Sequence, residues 1–539
     1  MLISLILASA VLHAQKPDIP LNPGLGHHSR KVATTSPLAQ KYFDQGLAYL
    51  YGFNHGASRR SFQMAAKLDP NCAMAYWGIA MACGPNINDP EVDPERAKIA
   101  WEAVQKADSP DAELASRDKP LLAAINVRFA KNPPADRTPL DKAYADKMGE
   151  AWKANPVDAD TGSLYAEALM DLRPWKQWNL DGSPAPDTDT VLSTLHAVLK
   201  LDPNHPMGNH LMIHATESSS HPEWGLEAAD KLRDMEPGLG HMVHMPSHIY
   251  VRTGRWKDAI IANRKAIAID NAFLAKNPHP GFYALYMAHN REMLAYACMM
   301  RGQSSEAIQA VAQLKGLFPK EDMEAEAPLF DSMLELPVEL MVRFGKWDDI
   351  LAVESLGPKF PFTEAIRHAA RGVAYSAKQE PDKAREEQTA FREAMKKVPS
   401  DETVGLNTAS AIMAIEDHLL EGEILYREGK ADDALAALKL AVDGEDQLGY
   451  DEPPDWLIPT RHTLGATLED AGRYAEALDV YQEDLKRRPG NGWSLYGMSR
   501  ALIALGKAGE AKGYDAQFKK TWADADMSIS SSCMCLPAK

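Results

Sequence analysis

Short apolar stretches with helical spacing recur along most of the chain, and each is closed by a proline or a glycine. Apolar residues that return every three or four positions predict amphipathic helices, and a proline after such a run ends the helix. Four prolines occupy such positions: Pro70, Pro203, Pro319 and Pro489. The pattern predicts many short helices that pair with their neighbours in antiparallel fashion, with little or no β-sheet.

Glycine, alanine and aromatic residues stand at fixed offsets within these stretches. The first copy contains Gly46, Tyr49, Phe62, Ala65 and Pro70, and a late copy contains Gly465, Leu468, Gly472, Ala477, Tyr481 and Pro489. The next alanine of the series, Ala511, follows Ala477 by 34 residues. With degenerate copies between these ends, residues 38 to 520 resemble the tetratricopeptide repeat (TPR) family. The resemblance implies an all-α, right-handed superhelical solenoid with a concave groove that binds a peptide or protein partner.

Two stretches rich in proline, glycine and tryptophan, 172–189 and 443–459, interrupt the rhythm and are predicted to be loop insertions. The predicted organisation is therefore a signal peptide (1–14), a leader (15–37), N-terminal repeats (38–171), the first insertion (172–189), central histidine-rich repeats (190–320), degenerate repeats (321–442), the second insertion (443–459), C-terminal repeats (460–525) and a Ser/Cys tail (526–539).

The net charge and the apolar N-terminal residues limit which functions the sequence allows. The 539-residue chain carries 75 acidic and 58 basic residues, a net charge of −17, so it lacks the basic surface that nucleic-acid binding needs. The apolar run up to Ala14 is too short to span a membrane and reads as a signal peptide, which predicts export to the periplasm or the medium. Because that run has no basic start, an apolar N-terminal arm is the alternative.

Histidines are crowded into one part of the sequence, between Asn209 and His289. One series, His210, His214, Glu217 and His221, steps by four, three and four residues; a second, His241, His244 and His248, steps by three and four. Such spacing puts each series on one stripe of a helix. Pro246 lies inside the second series and predicts either a kink or a helix start, which leaves the place of His241 in question.

The repeat register implied by the resemblance assigns both histidine series, and also His289, to three consecutive inner helices that face one groove. Several imidazoles and one carboxylate brought together there predict a transition-metal site for copper, iron or zinc. The number of ligands exceeds one tetrahedral ion, so two ions, or one ion with supporting histidines, both stay open. Glu217 is predicted to be a metal ligand or a general base.

Four residues elsewhere are additional candidates. His28 lies in the leader, His55 lies in the turn of the first repeat, and Cys533 and Cys535 form a Cys-Met-Cys sequence near the end of the chain. Two cysteines so close together could hold a soft metal, form a disulfide or lie in an inert tail. Five cysteines in all do not make a disulfide framework.

Two functions from different classes stay open at this point. The first is an exported TPR-like protein with a His/Glu metal site in its groove, which either binds the metal or uses it in catalysis. The second is a non-catalytic scaffold that binds a peptide or protein partner, with the histidines as polar contacts. In either case the groove could also take a small molecule. A His-Glu-x-x-His sequence and a Gly-rich phosphate loop are both absent from the sequence, so neither a zincin protease nor a P-loop enzyme is predicted.

Overall fold

The computed structural model describes residues 19–536, which form two compact units. The N-terminal unit contains the chain up to Ile249 together with Ala262–Asn290, and the C-terminal unit contains Tyr250–Ile261 together with the chain from Arg291 onward. The predicted signal peptide lies outside the described residues. Within the described part of the chain, no helix combines the length and the apolar character needed to cross a membrane.

Eleven helices lie wholly in the N-terminal unit: α1 Pro37–Tyr51, α2 His55–Leu68, α3 Ala73–Met81, α4 Pro94–Ala107, α5 Lys119–Arg128, α6 Thr138–Ala154, α7 Ala159–Asp171, α8 Thr188–Leu201, α9 Pro206–Glu217, α10 Leu226–Leu232 and α11 Gly240–His244. Three more contribute residues to both units: α12 Pro246–Arg252, α13 Trp256–Leu274 and α14 Tyr283–Met299.

The C-terminal unit continues with α15 Ser304–Ala312, α16 Lys320–Ala325, α17 Ala327–Leu334, α18 Leu336–Arg343, α19 Trp347–Leu351, α20 Pro361–Ala377, α21 Pro381–Met395, α22 Ala409–Arg427, α23 Ala431–Asp446, α24 Thr460–Asp470, α25 Tyr474–Arg487, α26 Gly492–Ala504 and α27 Ala508–Thr521. A single antiparallel hairpin, β1 Thr403–Val404 with β2 Asn407–Thr408, is the β-sheet of the described chain. Short 3-10 helices occupy Ser116–Asp118, Pro222–Gly225, Leu314–Gly316 and Trp522–Asp524.

Consecutive helices pack against each other in pairs, as α1 does with α2 and α25 with α26. Glycines at the contact points allow the paired helices to approach closely. A methyl group on Gly46 or Gly78 would lie 2.7 or 2.4 Å from the Phe62 ring, and one on Gly465 or Gly497 would lie 2.4 or 2.2 Å from the Tyr481 ring. Each ring is thus held between the glycines of two successive first helices. The all-α fold and the TPR-like helix pairs are confirmed in each unit.

Local sequence features explain where the histidine-bearing helices begin and end. His205 caps α9 by accepting the Gly208 N–H on its side chain, and Pro206 fills the first helical position. All twelve residues of α9 are buried. The second series is split at Met245, because Pro246 has no N–H to continue the helix, so α11 ends at His244 and α12 begins at Pro246.

The first insertion covers this region. It spans residues 172–187, between the end of α7 and the start of α8. The Trp178 indole donates a hydrogen bond of 2.8 Å to the Ala215 carbonyl on α9, and the Trp175 ring lies edge-on to His214 with ring centroids 5.5 Å apart. The second insertion begins after Asp446, since α23 runs four residues further than the sequence pattern predicted.

Candidate metal centre

Six histidines of the N-terminal unit converge as two groups of three. Cluster A is His210, His214 and His241, and cluster B is His244, His248 and His289; within each cluster the ligand nitrogens lie within 4.8 Å of one another. In cluster A the Nε2 of His210 is 3.1 Å from that of His214 and 3.2 Å from that of His241. The helices α9 and α11 supply cluster A, and α11, α12 and α14 supply cluster B.

Cluster B repeats this geometry. The Nε2 of His248 is 2.9 Å from that of His244 and 3.3 Å from that of His289. Two nitrogens bonded to one tetrahedral ion at about 2.0–2.1 Å would be roughly 3.3 Å apart. The spacing in both clusters is therefore that of nitrogens sharing one ion.

The other ring nitrogens show which atoms carry protons. The Nδ1 of His210 lies 2.7 Å from the Tyr51 carbonyl oxygen, which can only accept, so this Nδ1 carries the hydrogen. The Nδ1 of His244 lies 2.6 Å from the amide oxygen of Asn263 and donates to it. Neutral imidazoles in these tautomers point an Nε2 lone pair at the other members of their cluster.

Glu217 joins the two clusters. Its Oε1 is 2.7 Å from the Nδ1 of His214, and its Oε2 is 2.6 Å from the Nδ1 of His248. Burial would raise the pKa of Glu217, but the two histidines outweigh burial and lower it to about 2. Glu217 is therefore an ionised acceptor that fixes one imidazole of each cluster, as carboxylates do behind metal-bound histidines.

The Nε2 lone pairs of His210 and His214, 3.1 Å apart, and those of His244 and His248, 2.9 Å apart, cannot form hydrogen bonds and repel unless a cation lies between them. A proton is a poor candidate for that cation. Burial and the neighbouring histidines lower the pKa of His210, His241 and His244 well below the ordinary value of 6.5. The arrangement therefore favours a metal ion in each cluster.

Aromatic rings close cluster A. The Phe53 ring lies 4.5 Å from the His210 ring and stacks on those of His214 and His241 at 5.9 and 5.7 Å between centroids. Phe53 and Trp175 both have left-handed backbone conformations, with φ of 54° and 62°. Such conformations are costly for bulky residues and tend to occur at functional sites.

Two predictions about the first histidine series need correction. His221 is not part of either cluster: α9 ends at Glu217, and His221 is an exposed residue that stacks on Trp224 and lies 3.0 Å from Glu223. Glu217 was predicted to be a ligand or a base, but both of its oxygens contact Nδ1 atoms on the outer side of the imidazoles.

The predicted place of the cluster also needs correction. His210, His214, His241, His244 and His248 are each 3% exposed or less, so they lie inside the unit and do not line an open groove. His289 is half-buried. The doubt about His241 is resolved, because α11 precedes the break at Pro246 and carries both His241 and His244.

The additional histidine candidates lie elsewhere. His28 and His205 both donate to Asp160, at 2.8 and 3.1 Å, as does the Tyr51 hydroxyl at 2.7 Å. Because the Nδ1 of His205 accepts the Gly208 N–H, its Nε2 carries the hydrogen and needs no ion. His55 joins neither cluster; its Nε2 is 3.4 Å from the side-chain nitrogen of Asn86. Hydrogen bonds thus account for the group around Asp160.

Cys533 and Cys535 form a disulfide in the C-terminal unit, next to Glu423.

Three groups that position the clustered histidines could not be predicted from the sequence: the Tyr51 carbonyl, Asn263 and the Phe53 ring. The Tyr51 carbonyl is 159 residues from the histidine that it holds. Helical spacing within one segment carries no information about such partners.

Comparisons with known proteins give no family assignment. No family model matches the chain, and no curated protein matches it. Solved structures that it resembles include the APC/C hetero-tetramer Cut9–Hcn1, at 12% identity and a TM-score of 0.29 over 90% of this chain and 74% of that chain. Another is the human IFIT1 dimer with m7Gppp-AAAA, at 13% identity and a TM-score of 0.31 over 92% of each chain. Likeness at such scores carries no argument about function.

Lower pH is expected to destabilise the metal-free protein. The pKa of His289 is lowered by burial and by His248 to about 3, and those of the other cluster histidines named above are lowered too. The unfolded chain takes up protons below 6.5 while the folded imidazoles stay neutral, so stability present above that pH is lost as the pH falls toward the folded pKa. Each buried imidazole contributes up to about 1.4 kcal/mol per pH unit.

Urea unfolding of metal-free protein between about pH 7.5 and about pH 5 measures this loss. The expected result is a free energy of unfolding that drops steeply below pH 6.5. An unchanged free energy across this range would contradict the assignment of neutral, buried imidazoles.

Proposed function

We propose that this protein holds two transition-metal ions, one in cluster A and one in cluster B, as a dinuclear centre. The observation that carries the proposal is the convergence of three Nε2 atoms in each cluster, with the Nδ1 atoms of His210, His214, His244 and His248 already engaged by acceptors. Two ions use all six imidazoles, which answers the surplus of ligands noted in the sequence.

The donor set supports copper or zinc. Each cluster offers three neutral imidazoles and no directly facing carboxylate. Magnesium and calcium prefer oxygen ligands, and non-haem iron sites usually combine two histidines with a carboxylate. Copper and zinc both accept three imidazoles and keep a further position for water or substrate.

Such a centre supports metal-assisted activation of a small molecule, either water or dioxygen, as the chemistry of a metalloenzyme. The chain's own residues have distinct parts in this proposal. Glu217 holds the Nδ1 protons of one imidazole in each cluster, which fixes the ring orientation and increases the basicity of the ligands. Phe53 covers cluster A and excludes water from that side.

The scaffold alternative has weaker support from the histidines. A peptide in a groove would contact exposed side chains, yet five of the six cluster imidazoles are nearly inaccessible.

Export of the protein is also part of the proposal, and its basis is the apolar run up to Ala14. The disulfide between Cys533 and Cys535 is consistent with an oxidising compartment.

Reconstitution tests the proposal. Untagged protein is stripped with a chelator, incubated separately with copper(II) and zinc(II), desalted and analysed for metal content. The expected result is two ions per chain for at least one metal, and the same content in His221→Ala, because His221 lies outside both clusters. Less than one ion per chain with every metal, or loss of metal in His221→Ala, would refute the proposal.

A further inference from the structure

The Ser/Cys tail is fixed to the C-terminal unit by specific contacts. The Ser532 hydroxyl donates to the His462 carbonyl at 2.8 Å and lies 2.6 Å from the Tyr481 hydroxyl. Arg343 donates to the Ser532 carbonyl at 3.2 Å, and Arg427 donates to the Cys535 carbonyl. These contacts hold the two cysteines at one place on the repeats, which an inert solvated tail would not need.

The fixed tail brings three potential ligands together. A carboxylate oxygen of Glu423 and the sulfurs of Cys533 and Cys535 all lie within 4.8 Å of one another. The intervening Met534 packs at Gly345. Two sulfurs and one carboxylate oxygen are three of the four ligands that a tetrahedral zinc ion takes.

The surroundings add buried carboxyl groups that a bound cation would keep ionised. A cavity beside the cysteines is lined by Glu339, Glu416 and Glu423, three carboxyl groups that are 4%, 7% and 5% exposed. The Oε2 atom of Glu339 has no hydrogen-bond partner among residues 19–536. Burial raises the pKa of Glu423 to about 7 and that of Glu339 to about 8. A buried carboxyl oxygen without a partner, such as the Oε2 of Glu339, is costly, and a bound cation nearby reduces that cost.

We propose that Cys533, Cys535 and Glu423 form a second, separate site that binds one zinc ion when the cysteine pair is reduced. Reduction of the disulfide by an added thiol or phosphine takes up two electrons and two protons and yields two thiols. Zinc then replaces the two thiol protons, and the Glu423 carboxylate supplies the third ligand. This site shares no residue with clusters A and B.

Cobalt(II) is the probe, because thiolate ligation gives a near-ultraviolet charge-transfer band that imidazole ligation does not. Reduced full-length protein, titrated without oxygen, is expected to develop this band as cobalt is added, and an excess of zinc is expected to abolish it. Oxidised protein should not show the band. Glu423→Gln should keep the band with an affinity at least about tenfold weaker, since one ligand loses its charge.

Three variants make the test specific. Cys533→Ser/Cys535→Ser should lack the band, whereas Cys298→Ser, which removes a buried cysteine outside the disulfide, should retain it. The band should also survive in His241→Ala/His244→Ala, so failure of the histidine centre leaves this result intact. No band in the reduced wild type, or a band that persists in the double serine variant, would overturn the proposal.

Discussion

His241→Ala is expected to lower the metal content from two ions per chain to one, and His244→Ala is expected to remove the other ion. Each substitution takes one of three ligands from one cluster. Neither histidine contacts Glu217, so the carboxylate keeps both of its imidazole partners. The affinity of the altered cluster should fall by more than the roughly 10–100-fold that is typical when an outer partner of a ligand is lost.

Elemental analysis of the two single variants and of the combined variant measures this effect. The combined variant should bind no metal at concentrations that saturate the wild type. His196→Ala is the matched control, because His196 lies on α8 and contacts the Leu192 carbonyl, away from both clusters. Equal loss of both ions in each single variant would argue for one shared site, and full retention would argue against any site.

Glu217→Gln is expected to weaken metal binding in both clusters. The substitution removes the negative charge behind His214 and His248, and an amide can accept from only one of two Nδ1–H groups. Its NH2 group then faces the other Nδ1–H, donor against donor, which favours the wrong tautomer of that ring. A reduction of about 10–100-fold at each cluster is expected.

The single-cluster variants allow the two effects to be measured separately. Glu217→Gln is combined with His241→Ala, which leaves cluster B, and with His244→Ala, which leaves cluster A, and the affinities are determined by competition with a chelator. Asn263→Ala is the contrast, since Asn263 contacts His244 of cluster B. It should weaken cluster B and leave cluster A unchanged. A Glu217→Gln effect confined to one cluster would contradict the bridging role.

Much of the fold could be predicted from the sequence, because its rules are local. Gly46 and Phe62 belong to one helix pair, and Gly465 and Tyr481 belong to another, so fixed offsets encode how they pack. The histidine spacing also predicted correctly that His210 and His214 share a face of one helix. These features depend on helical geometry within a few turns.

Other features of the candidate centre depend on contacts that spacing does not encode. The histidine spacing predicted that the helical stripe extends to His221. Because α9 ends one turn earlier, at Glu217, His221 lies outside the helix and at the surface. The division into two clusters falls within α11, which carries His241 of cluster A and His244 of cluster B, while His248 of cluster B lies on α12 beyond the break at Pro246. The outer position of Glu217 requires His248 to lie across from α9, which the sequence of α9 alone cannot indicate.

The most direct test of the dinuclear centre is a crystal structure of reconstituted protein with anomalous diffraction measured at the absorption edge of the bound metal. The expected map has two strong peaks in the N-terminal unit. One peak should lie about 2.0–2.1 Å from the Nε2 atoms of His210, His214 and His241, and the other at the same distance from those of His244, His248 and His289. A single peak shared by both clusters, or peaks only at surface histidines, would contradict the account.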